Sequence, residues 1–315
     1  MKTIGVKRKV VIIGAGFVGS SVAYAMTLRN IAHEIALVDI DREKAVGEAL
    51  DIRHGMTGIG ETFIYAGDYS DCKDCDLIVI TAGVGRKPGQ SRRDLTAENI
   101  AIMENVLKSM QPYYCGSVIL VISNPVDVLT YMVDKRLNLP RGMVVGTGCT
   151  LDTSRFTACL ADHFNISTRL VDAAVIGEHG DAQIPVWSGV KIDGLPVEHY
   201  CDRKCIDWNE QIKLDIALKT KKMGASIIKR KGKTNYGIAT CACDIAASVL
   251  NNKPSLFTVS KRLFGEYGQE NTALSLLSIV DSSGVSSILP VSLSENEAAA
   301  FQDAADAVRS LISLV

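Results

Sequence analysis

Val10-Val11-Ile12-Ile13-Gly14-Ala15-Gly16-Phe17-Val18-Gly19 joins a short apolar run to a glycine-punctuated turn, and a helical pattern, Ser20–Arg29, follows at once. A β-branched run without polar alternation is the pattern of a strand buried on both faces, as in a parallel sheet covered by helices. A lone G-x-G-x-x-G carries little weight. At a strand-to-helix junction it has a mechanism: Gly14 allows the tight turn, Gly16 the close approach of a pyrophosphate, and Gly19 the helix–strand contact. Asp39 ends the next apolar run, twenty residues after Gly19. A carboxylate there accepts hydrogen bonds from ribose hydroxyls and repels a 2′-phosphate, so the pattern selects NAD over NADP.

Outward from this stretch, Val10–Ile13, Ile35–Val38, Leu77–Ile80, Val118–Ile122 and Met143–Val145 are short apolar runs with helical stretches between most of them. That alternation spells an α/β fold, a Rossmann-type doubly wound parallel sheet. The second half changes texture. It has helical stretches at Thr153–His163, Trp208–Lys229 and Tyr236–Leu250, then β-rich segments at Leu256–Ser260, Ala273–Val280 and Val285–Leu289. A mixed α+β substrate domain is expected there, with residues 1–147 binding the dinucleotide and 148–315 forming the catalytic half. A last helix starts at Glu295, with Ser294 and Glu297 as a capping box and Phe301, Ala304, Ala305, Val308, Leu311 and Ile312 on one apolar face.

The 315 residues are 47% hydrophobic and 22% charged, with a net charge of -1, so no global field favours nucleic acid or an acidic membrane. The nine cysteines lack a second ligand pair at zinc spacing, and a chain with a full core has little need of disulfides. No metal is expected. Met1–Lys9 shows no long apolar region or cleavage signal, and no apolar stretch approaches a membrane span, so a cytoplasmic protein is expected.

Four segments carry polar residues suited to chemistry. The loop Ala82–Asp94 holds Arg86, Lys87, Arg92 and Arg93 after an apolar strand, where open α/β sheets hold anionic ligands. Ser123-Asn124-Pro125 puts an amide at a strand's carboxyl end. Asp152 and Arg155 share one face of a helix. Glycines bracket His179 in Gly177-Glu178-His179-Gly180-Asp181. Taken singly, each has a plain structural reading; beside a dinucleotide fold they form a set that hydride transfer needs.

With G-A-G-F-V-G, the basic loop, S-N-P-V-D, L-D-T-S-R-F and G-E-H-G-D, the sequence resembles the L-lactate/malate dehydrogenase family nearly end to end. The resemblance implies a reversible hydride transfer between NADH and a 2-oxo acid. It makes His179 the proton donor and acceptor, Asp152 its partner, Arg155 the grip on the substrate carboxylate, and Arg92 the group that polarises the carbonyl. Asn124 and Thr234 would line the substrate pocket. Gly14, Gly16, Phe17, Val18, Gly19, Asp39, Ala82, Gly83, Asn99, Ser123, Asn124 and Ile238 would contact NAD. It further implies a homo-oligomer, a tetramer or else a dimer.

Two acids compete as substrate. Arg86 stands at the family's discriminating loop position, where malate enzymes carry arginine and lactate enzymes glutamine. Beside a methyl group in a dry site it would be a costly unpaired charge, whereas opposite the distal carboxylate of oxaloacetate it would be paired. Glu178, L-D-T-S-R-F and Thr234 look instead like lactate enzymes, so malate is favoured only slightly. Thr157 and Asp172 occupy the positions where allosteric bacterial lactate dehydrogenases bind fructose 1,6-bisphosphate through arginine and histidine, so no such activation is expected. NAD-dependent glycosidases, which need a metal, and a non-enzymatic NAD-binding role are the competing classes.

Overall fold

The computed structural model describes residues 8–85 and 89–315. Arg86 and Lys87 lie outside the described residues. Strands β1 (Lys9–Ile13), β2 (Glu34–Val38), β3 (Phe63–Ala66), β4 (Leu77–Ile80), β5 (Val118–Val121) and β6 (Val144–Gly146) pair in parallel in the order β3-β2-β1-β4-β5-β6. The order reverses between β1 and β4, and at such a switch point the diverging connections open a crevice at the carboxyl ends of the strands. The five expected strands are present. The sixth, β3, escaped the apolar-run criterion because it is an edge strand in which only Ile64 is buried.

Period-two alternation divides β1 between two cores. Val10 and Ile12 face one layer, where Val22 and Met26 of α1 (Phe17–Leu28) meet Ala246 and Val249 of α8 (Tyr236–Asn251). Val11 and Ile13 face the other. That layer holds Met103 and Leu107 of α3 (Arg92–Met110), Leu129 and Met132 of α4 (Val126–Leu137), and Phe301, Ala304, Ala305 and Val308 of α9 (Glu295–Ile312). The last helix therefore packs on its own chain, and its capping box forms: the Ser294 hydroxyl accepts from the Glu297 N–H at 3.3 Å, and Glu297 accepts from the Ser294 N–H at 2.8 Å.

The second half extends the same sheet. Strands β7 (Val175–Gly177), β8 (Gln183–Pro185), β9 (Ser255–Phe264), β10 (Glu270–Asp281) and β11 (Gly284–Ile288) are antiparallel, and β9 joins β6 at the Ser260–Gly146 pair. The β-rich segments thus continue the parallel sheet. Helix α2 (Arg42–Gly55) connects β2 to β3, and helices α5 (Thr150–Phe164), α6 (Val197–Lys204), α7 (Glu210–Lys231) and α8 complete the second half. α8 lies on α1, tied by Asn235 donating to the Ser21 hydroxyl at 2.7 Å and by the Arg29–Asp244 ion pair at 2.7 Å.

Candidate active site

The glycine turn after β1 forms one wall of a cavity of about 580 Å³ that also touches Asp39, Thr81, Ala82 and Gly83. Gly14 has φ +109°, and a Cβ there would stand 2.7 Å from both the Ala82 nitrogen and the Thr81 hydroxyl. A Cβ on Gly19 would overlap the Gly14 carbonyl oxygen. Gly16 differs: its backbone is extended, and a Cβ would meet nothing within 4 Å. Neither conformation nor protein packing requires glycine at 16, so its bareness leaves room for a ligand. No side chain caps α1 at Gly16, which leaves the positive end of the helix facing the turn. Asp39 holds the turn, accepting from the Ala15 N–H at 2.6 Å and from the Asp41 N–H at 3.0 Å.

Buried Asn99 bridges two loops. Its amide oxygen accepts from the Val84 N–H at 2.8 Å, and its nitrogen donates to the carbonyls of Val84 at 3.1 Å and Asn124 at 2.9 Å. Ser123 donates to the Ala82 carbonyl at 2.6 Å. These two side chains knit the ends of β4 and β5 together. Asn124 itself is exposed at the start of a cis peptide to Pro125. Thr234 is half-buried on the turn between α7 and α8, and Ile238, on α8, packs against the core beneath α1.

The second cluster gathers residues of α5 and α3 around the segment that follows β7. Asp152, on the first turn of α5, is buried; one oxygen lies 2.6 Å from His179 Nδ1 and the other accepts from Arg155 at 2.9 Å. Burial alone would lower the His179 pKa, but the charge and hydrogen bond of Asp152 outweigh it and the net direction is up. For Asp152 burial acts upward, and the charges and hydrogen bonds of His179 and Arg155 bring it below its ordinary value. At the start of α3, the Arg92 guanidinium contacts the buried carboxylate of Glu178, whose other oxygen accepts from the Ala182 N–H at 3.1 Å. Arg92 thus lies against the segment carrying His179. The described residues bring His179, Asp152, Arg155 and Arg92 together.

Residues 8–146 match the family model described as the lactate/malate dehydrogenase NAD binding domain, and residues 149–315 match that of the alpha/beta C-terminal domain. The chain belongs to the lactate/malate dehydrogenase family. An L-lactate dehydrogenase of Clostridium perfringens is 42% identical over 289 residues, 92% of this chain and 91% of that protein. One of Thermoanaerobacter pseudethanolicus is 40% identical over 308 residues, 96% and 98% of the two chains. Among solved structures, the ligands-bound minor L-lactate dehydrogenase of Enterococcus mundtii superposes with a TM-score of 0.94 at 39% identity, covering 98% of each chain.

As a lactate/malate dehydrogenase the chain is an oxidoreductase that uses NAD, and the crevice fits that group. The open space at Gly16 and the uncapped end of α1 suit a pyrophosphate, while the carboxylate of Asp39 suits a ribose diol. Three residues of the site were not read from the sequence. Thr81 donates to the Gly14 carbonyl at 2.8 Å and so braces the glycine turn. Gly224, within α7, brings that helix against the Arg155 guanidinium, with a Cβ position 3.6 Å from both terminal nitrogens. Asp127, within the quoted S-N-P-V-D, accepts from the His179 backbone N–H at 2.8 Å. A glycine at a mid-helix position was the available signal for Gly224. The Thr81 and Asp127 contacts join distant segments and left no local pattern.

Proposed function

We propose that the protein is an NAD-dependent L-2-hydroxy acid dehydrogenase in which His179 moves the proton that accompanies hydride transfer. The observation that carries this reading is the chain of contacts His179–Asp152–Arg155, at 2.6 and 2.9 Å, within the catalytic half. NAD, when bound, supplies or accepts the hydride. Asp152 holds Nδ1 of His179 and so leaves Nε2 to deliver a proton to the carbonyl oxygen of a 2-oxo acid, or to take it back from the hydroxy acid. Arg155 spends one nitrogen on Asp152, and its remaining N–H edge suits a substrate carboxylate. Arg92, 39% exposed on its side chain, can turn from Glu178 toward a carbonyl oxygen.

For the acid, we propose oxaloacetate and malate, supported by Arg86. The names of the relatives favour a second reading, pyruvate and L-lactate. Kinetics with both oxo acids, for wild type and Arg86→Gln, separate the two. If Arg86 selects the substrate, the replacement costs oxaloacetate on the order of 2–5 kcal/mol in kcat/KM. An unchanged ratio of the two kcat/KM values would mean that Arg86 does not select the acid and would remove its support for the malate reading.

A homo-oligomer, tetrameric or dimeric, is supported by apolar side chains left on helix surfaces, including Phe17, Tyr24 and Leu28 of α1 and Leu214, Leu218 and Ile228 of α7. A cytoplasmic location is supported by nine free cysteines, and among the described residues no helix is long and apolar enough to cross a membrane.

A further inference from the structure

Asp127 is 2% exposed on α4, an ionisable group that the proton transfer above does not use. One carboxylate oxygen accepts the backbone N–H of His179 at 2.8 Å, and the other accepts the hydroxyl of fully buried Ser260 at 2.6 Å. Both oxygens act as acceptors, an arrangement that suits the ionised form, although burial outweighs these two bonds and pushes the Asp127 pKa up, so the charge is present only above that raised value. Ser260 is also the residue through which β9 joins β6, so the carboxylate is fixed from two sides of the sheet junction. The histidine segment it holds is otherwise adaptable, with Gly177 at φ +86° and Gly180 at φ +158°.

We propose that Asp127 is a positioning residue that anchors His179 through its backbone and places a second negative charge beside the one supplied by Asp152. The proposal rests on the reading of His179 as the proton carrier. The charged groups around that histidine segment are Asp152 and Arg155 on α5, Asp127 on α4, Arg92 of α3 paired with Glu178, and Lys221 of α7 paired with Asp181. Asp152 and Asp127 both favour the imidazolium, and Arg155 opposes it. A buried backbone anchor that carries charge therefore both orients the ring and keeps it protonated at higher pH.

The test is the pH profile of kcat/KM for oxo-acid reduction by the NADH-loaded enzyme, paired with NMR titration of the His179 ring. In Asp127→Asn the amide oxygen can accept the His179 N–H while the amide nitrogen donates to Ser260, so the bonds persist and the charge is lost. The alkaline limb and the ring titration should then move down by about 0.5–1 pH unit, less than for a directly paired carboxylate. Asp127→Glu keeps the charge but displaces it, so kcat should fall several-fold with the limb in place. An unmoved limb in a folded Asn variant, or a limb in the Glu variant displaced as far as expected for Asn, overturns the proposal. His179→Asn tests the underlying reading separately: retained activity with an intact limb defeats His179 as the proton carrier, whatever Asp127 does.

Discussion

At His179 and Asp152, two opposed shifts set a pH window. The folded pKa of Asp152 lies below its unfolded value, so its contribution to stability is present above about pH 4 and is lost as pH falls through the lowered value. The folded pKa of His179 is raised, so its contribution is full below about pH 6.5 and is lost as pH rises through the raised value. The ion pair therefore stabilises the fold most between those limits. Asp152→Asn should erase most of the difference in urea-unfolding free energy between pH 5.5 and pH 8.5 that this pair produces. It should also lower kcat/KM for reduction by about 10²–10⁴ and move the alkaline limb down. A mutant limb matching wild type would mean that Asp152 does not set the proton affinity of the histidine. The Asp152 and Arg155 pairing was legible because both residues lie within one helical turn. The Asp127 anchor was not, because its partners are 52 and 133 residues away in the chain.

Among the elements, α7 lies against the Arg155 guanidinium, the group proposed to hold the substrate carboxylate. A Cβ at Gly224 would stand 3.6 Å from the Arg155 guanidinium, an ordinary contact, so alanine fits there without displacing the arginine. Gly224→Ala should then stabilise the enzyme by about 0.5–1 kcal/mol through helix propensity, while KM for the oxo acid changes little. Gly224→Leu should push Arg155 aside and raise that KM about tenfold or more; an unaltered KM would mean that α7 does not confine the arginine. Edge strand β3 presents a different case. Tyr65, on β3, hydrogen-bonds Glu34 of β2 and Asp71, while Lys9, on β1, approaches Asp74 at 2.8 Å and Asp71 at 3.0 Å. Burial acts upward on the Asp71 pKa, but its hydrogen bonds from Tyr65, the Asp68 N–H and Lys9 carry it below the ordinary value. This support is therefore present at neutral pH and is lost as pH falls through that lowered value. Lys9→Met should cost about 1–3 kcal/mol at pH 7, reduced from the fully buried case because Asp74 is 73% exposed, and the cost should shrink below pH 4. A pH-independent cost would place the effect in packing. The apolar-run criterion overlooked β3 because polar contacts and strand pairing hold this edge, and neither leaves a continuous apolar signature.

For the whole molecule, the texture change near residue 150 was legible as a change of composition, but the continuity of the sheet across it was not. Gly146 and Ser260, which join β6 to β9, are separated by more than a hundred residues and carry no motif. A Cβ at Gly146 would stand 2.9 Å from the Ser260 side chain, so the junction is closely packed as well as hydrogen-bonded. The two cores also cross the divide, since α8 shares one with α1 and α9 shares the other with α3 and α4. Neither half can shed its partner without exposing apolar surface on strands and helices of the other, which is the physical basis for joint unfolding. Calorimetry should accordingly show one endotherm for the subunit, and NADH should shift it as a unit. At a hundred times its Kd, a ligand bound only to the folded state adds about 2.7 kcal/mol, or roughly 4 °C in Tm for a chain of this length. Two resolved transitions, with NADH moving only one, would show that the nucleotide half folds alone and that the shared sheet contributes little to cooperativity.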